Sequence, residues 1–107
     1  MDLKILQAEV YKWAHYNFPT NRKPHKSLLG VMEELGELAH AQLKEEQNIR
    51  INENHIENAK DAIGDIIIFL ADYCGDKNFD LDKIITDVWS EVKKRDWIKY
   101  PVNGVSE

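Results

Sequence analysis

The chain has 107 residues, of which 14 are basic and 19 acidic, giving a net charge of −5. That length fits one domain with a modest core, which oligomerisation would supplement, and the acidic balance argues against a nucleic-acid binder relying on a broad basic footprint. A single cysteine, Cys74, excludes an internal disulfide framework and fits a reducing, cytoplasmic setting, while the longest apolar run, Ile66 to Ala71, is far too short to span a membrane.

The spacing of Leu3, Leu6, Val10, Trp13 and Ala14 predicts a first amphipathic helix ending near Tyr16. Residues 17–26 contain Pro19, Pro24 and several turn formers, so they read as a loop, and its Arg22, Lys23 and Lys26 are placed to approach an anion. Ser27 is the expected cap of a second helix running to about Gln47. A polar connection over 48–54 leads to a third helix from about Glu53 or Ile56 to Cys74, with Gly75 as its stop. Asp80 is the expected cap of a fourth helix ending near Trp97, with Leu81, Ile84, Ile85, Val88 and Val92 as its core positions. Lys93, Lys94 and Arg95 then fall in a last turn, where the helix dipole favours cations. Residues 98–107 form an irregular tail. No alternating run predicts a strand, so the expected class is all-α: one domain over 1–107, a bundle of about four helices completed by oligomerisation.

The second helix carries three carboxylates, Glu33, Glu34 and Glu37, in the stretch VMEELGELAHA. At about 100° per residue they share one face with Gly30 and Ala41, while Leu28, Met32, Leu35, Ala39 and Leu43 form the opposite stripe. Alone, this reads most simply as a solvated acidic face behind a core stripe. The third helix adds Asp61 and Asp65, about 40° apart on one face. Asp65 precedes a segment, Ile66 to Leu70, that is apolar all round and therefore expected to be enclosed. A carboxylate at the edge of such a segment needs a partner or takes up a proton. Two antiparallel helices would face four or five carboxylates toward one another, and a hard divalent cation, Mg²⁺ or Mn²⁺, relieves their repulsion.

The two elements together resemble those of the MazG-like all-α nucleoside triphosphate pyrophosphohydrolases, which carry EExxE on one helix and ExxD on the next. The first motif is intact as Glu33-Glu34-Leu35-Gly36-Glu37, and Asp65 matches the terminal aspartate of the second. Ala62 stands where the family has its glutamate, and Asp61, one residue earlier, is the candidate substitute. The DAIGD form, with KRDW and PxxG near the C-terminus, is similar to a compact phage and bacterial branch. The resemblance implies hydrolysis of a ribo- or deoxyribonucleoside triphosphate to monophosphate and pyrophosphate. It makes Glu34, Glu37 and Asp65 metal ligands with Asp61 a candidate fourth, and gives Glu33 a further ion or the attacking water. Lys93, Arg95 and Lys26 are candidates for the phosphates and Trp13 or Trp97 for the base, in a homodimer or homotetramer.

Two rival readings stand beside it. One is a carboxylate-bridged dimetal bundle, for which Glu37-Leu38-Ala39-His40 is a Glu-x-x-His match; the third helix supplies no second such motif. The other is a non-catalytic helical dimerisation module whose acids form salt bridges with Lys44, Lys60, Lys93 and Arg95.

Overall fold

The computed structural model describes residues 1–107 and is all-α. It has four helices: α1 (Leu3–Asn17), α2 (Pro24–Gln47), α3 (His55–Lys77) and α4 (Leu81–Val92). No helix is long and apolar enough to cross a membrane. Three of the four begin on a side-chain cap. Asp2 accepts from Lys4 N at 2.7 Å, Asn54 from Glu57 N at 3.1 Å and Asp80 from Lys83 N at 3.1 Å, each satisfying an otherwise free helical N–H.

The second helix starts earlier than its sequence suggests. Pro24 occupies its first turn and Lys23 precedes it without a side-chain cap, because proline's fixed φ suits that position. Ser27 is therefore inside the helix and buried, and its hydroxyl donates to Asp72 Oδ2 at 2.7 Å. The third helix runs past Gly75 to Lys77 and closes on Asn78 in the left-handed region, as α2 closes on Asn48. Gly75 serves packing instead: a Cβ there would lie 3.0 Å from the Tyr11 ring.

The fourth helix stops at Val92, one turn short of the predicted end near Trp97. Residues 93–107 form a closed turn. Asp96 N donates to Gly104 O at 2.8 Å, Gly104 N donates to Tyr100 O at 2.8 Å, and Asp96 Oδ1 accepts from Ile98 N and Lys99 N. Gly104, at φ 79°, allows the turn to pack against Trp97.

The long helices α2 and α3 pair along their lengths, α1 lies against α3, and α4 touches only α1 and α3. Small residues form the α2–α3 seam. Ala41 and Ala62 are buried, and a Cβ on Gly30 would come within 2.6 Å of the Phe69 ring. The main apolar cluster is Val10, Ala71, Cys74 and Leu81, with Leu3 and Leu6 packed on it. Burial pushes the Cys74 thiol above its ordinary value, as expected for a small buried residue.

Only nine of 107 residues are buried, and no large side chain is fully so. The predicted core stripe of α2 faces outward: Met32 is 68 % exposed, and Leu28, Leu35 and Leu43 are exposed with it. On α4 only Leu81 is buried, while Ile84, Ile85, Val88 and Val92 are open, because no other helix of the chain covers that side. The segment Ile66 to Leu70 is half-covered rather than enclosed, with Ile68 exposed. Asp65 is likewise exposed, so in one chain it meets water and pays no large desolvation cost.

Candidate active site

The periodicity of α2 places Glu34 and small residues on the face turned to α3. Ser27 and Ala41 are buried on that face, and Gly30 and Glu34 are half-buried. The packed face thus carries the small residues and Glu34, whereas Glu33 and Glu37 stay exposed as the simplest reading of the sequence has them. Glu33, Glu34 and Glu37 each offer an oxygen within 4.8 Å of the others'. None of them, nor Asp61 or Asp65, forms a salt bridge. Lys60 pairs with Glu57, Lys44 bonds Gln47, and Lys93 and Arg95 form no ion pair, so the salt bridges expected for the interaction module do not form within one chain.

Glu34 is the electrostatic centre of the group. Its Oε2 is buried without a hydrogen-bond partner. Its carboxyl is held above the ordinary carboxylate value, first by burial, then by the adjacent Glu37 carboxyl, then by the charges of Asp65 and Glu33. Crowded carboxylates with one orphaned buried oxygen suit a hard cation with oxygen preference. Glu33, Glu34 and Glu37 are therefore the residues brought close enough together to suit an ion, while Asp65, exposed and outside that trio, reaches Glu34 through its charge. Asp61 is exposed and lies outside the glutamate cluster. Ala62 is 2 % exposed in the helix seam, so the position three residues before Asp65, which carries no acid, is the one facing α2.

Glu34 and Asp65 open onto a cleft of about 680 Å³ formed by α1, the α1–α2 loop, α2 and α3. Trp13 and Phe18 line it, edge to face at 5.9 Å, with Lys23 and Lys26. Trp13 and Lys26, both singled out in the sequence, thus belong to the same cavity as the acids. Lys93 and Arg95 line no part of it, and neither does Trp97.

One wall of the cleft is a polar network that the sequence reading did not include. Arg22 Nη2 donates to Asp72 Oδ1 and, at 3.0 Å, to Asp76 Oδ2. Its Nη1 donates to the Ala14 carbonyl at 3.3 Å, while His15 Nε2 lies 3.4 Å from Asp76 Oδ1. These contacts tie the loop to α1 and α3 just ahead of Lys23 and Lys26, which line the same cleft as Glu34 and Asp65. The signal was present: Asp61, Asp65, Asp72 and Asp76 follow spacings of four, seven and four, which keep them on one helical face.

No family model matches the chain, and no curated protein or solved structure matches it.

Proposed function

We propose that the chain hydrolyses nucleoside triphosphates, ribo or deoxy, between the α- and β-phosphates, releasing monophosphate and pyrophosphate as a form of nucleotide-pool house-cleaning. The observation that carries this reading is the orphaned Glu34 Oε2 inside a cluster of three glutamates, at the edge of a cleft that also presents cations and aromatic rings. The EExxE motif and Asp65 support it from the sequence.

In this reading Glu34, Glu37 and Asp65 hold Mg²⁺, or Mn²⁺, with Asp61 a fourth candidate from the exposed side. When bound, the ion neutralises phosphate charge and activates water for in-line attack. Glu33, exposed beside the ligands, orients the attacking water. Lys23, just before α2, and Lys26, in its first turn, meet the phosphates, and Trp13 gives the base an aromatic face. Lys93 and Arg95 take part only from a neighbouring copy in a homodimer or homotetramer, since they are absent from the cleft lining of their own chain. The outward apolar stripe of α2 supports such an assembly, and the free, buried Cys74 suits a cytoplasmic setting.

The test is a set of conservative substitutions assayed with Mg²⁺. Glu34→Gln, Glu37→Gln and Asp65→Asn should each abolish turnover while far-ultraviolet circular dichroism stays unchanged, and Asp61→Asn should cost less. Retention of most activity in Glu37→Gln or Asp65→Asn would break the ligand assignment.

A second reading, a non-catalytic helical interaction module of the same fold, is favoured by Ala62, which is only 2 % exposed and leaves no acid at the motif position facing α2. Metal titration separates the two. A divalent ion that binds only the folded chain raises its melting midpoint, whereas the module should show no response to Mg²⁺ or Mn²⁺.

A further inference from the structure

Two imidazoles converge on one carboxylate oxygen where α2 gives way to α3. His40 Nε2, on α2, lies 3.9 Å from Glu53 Oε2. His55 Nδ1, on the first residue of α3, lies 3.9 Å from the same oxygen. Both separations exceed a direct hydrogen bond.

His55 is the built part of the arrangement. Its side chain is only 9 % exposed. Its Nε2 donates to the Ile49 carbonyl at 3.0 Å. A carbonyl only accepts, so Nε2 carries the ring proton and the neutral ring leaves a lone pair on Nδ1. That Nδ1 is buried without a hydrogen-bond partner, which is unfavourable unless something else takes the lone pair. A backbone carbonyl that fixes the tautomer and aims the opposite nitrogen is the outer-shell arrangement of metal-bound histidines.

We propose that His40, Glu53 and His55 form a zinc site that clips α2 to the start of α3. Two imidazole nitrogens and one carboxylate oxygen are a zinc donor set, with the fourth position left to water. They suit Zn²⁺ better than Mg²⁺, which prefers oxygen alone. Zinc–nitrogen bonds of about 2.0–2.1 Å in a tetrahedron set neighbouring ligand atoms about 3.3 Å apart. The three donors do not yet lie within 4.8 Å of one another, as the oxygens of Glu33, Glu34 and Glu37 do, so closure draws His40 and Glu53, both part-exposed, toward the fixed His55. The clip would brace a connection that contains two residues in the left-handed region, Asn48 and Arg50. It is independent of the hydrolase reading and uses none of the acids assigned to Mg²⁺.

Calorimetric titration of the full chain with Zn²⁺, in excess Mg²⁺ and after chelator treatment, tests the site. Wild type and Glu37→Gln should each bind one Zn²⁺ per chain. His40→Ala and Glu53→Gln, both at part-exposed positions that leave the Ile49 bond intact, should weaken binding by at least about tenfold. Co²⁺ in place of Zn²⁺ should give tetrahedral visible absorption that His40→Ala abolishes. Absence of Zn²⁺ binding, unchanged affinity in both His40→Ala and Glu53→Gln, or loss of binding in Glu37→Gln would each overturn the proposal.

Discussion

Glu34 and Arg22 show how single residues set the site. Glu34 has a folded-state value raised above its ordinary 4.5 by burial, by Glu37 and by the charges of Asp65 and Glu33. A raised carboxyl costs nothing while both states are protonated, and its cost grows as pH climbs through the raised value. In chelator, Glu34→Gln should therefore be more stable than wild type at neutral pH and no more stable below pH 4.5, as read by urea denaturation across pH. Saturating Mg²⁺ should reverse the neutral-pH order, because only wild type keeps the full ligand set. Arg22 holds two carboxylates in a setting where all three side chains are at most 16 % exposed. Its removal leaves Asp72 with only the Ser27 hydroxyl and Asp76 with only His15, so Arg22→Ala should cost about 3 kcal/mol by chemical denaturation, and a change within error would contradict the packing role. Glu33, Glu34 and Glu37 were legible from spacing alone, since three and four residues always meet on a helix. The Arg22 network was not legible in the same way. Its partners lie 50 and 54 residues away, and no local rule pairs a loop arginine with a distant helix.

Among the elements, α2 carries the main lesson. Its periodicity correctly sorts acids and small residues to one side and large apolar residues to the other. Periodicity does not say which side another helix covers, and here α3 packs on the side that carries Glu34 and the small residues, leaving Glu33 and Glu37 exposed at its edge. Small residues make that possible. Gly30 lies against Phe69 so closely that any Cβ must displace the ring. Gly30→Val should destabilise the chain by about 1–3 kcal/mol through overpacking and loosen the acid cluster, seen as weaker Mg²⁺ stabilisation of the melting midpoint. Equal stability would show that the helices separate freely. The ends of the elements were less legible. Asn78, not Gly75, closes α3, because either residue tolerates the left-handed turn and Gly75 is needed against Tyr11. The KRDW stretch lies outside α4, because Asp96 caps the closed turn from within and so competes with helix continuation.

At the scale of the molecule, the chain is open. Its radius of gyration is 17.6 Å, against about 13 Å for a compact domain near this length. Apolar faces on α2 and α4 have no partner within the chain. Contiguous exposed apolar surface of this kind marks an interface, so sedimentation velocity should give a dimer or tetramer at micromolar concentration, and Met32→Glu with Leu35→Glu should shift it to monomer. A wild-type monomer would contradict the assembly. The four-helix, all-α class was readable from the sequence, whereas the open shape was not, because a core stripe and an interface stripe have the same period. The central claim, that the α2–α3 acids form a metal-dependent pyrophosphohydrolase centre, is tested most directly by one product analysis. Wild type is incubated with Mg²⁺ and a panel of ribo- and deoxyribonucleoside triphosphates, and pyrophosphate is resolved from orthophosphate. The account predicts monophosphate and pyrophosphate in equal amounts from at least one substrate. Orthophosphate with a diphosphate product, or no turnover of any triphosphate with either Mg²⁺ or Mn²⁺, would contradict it.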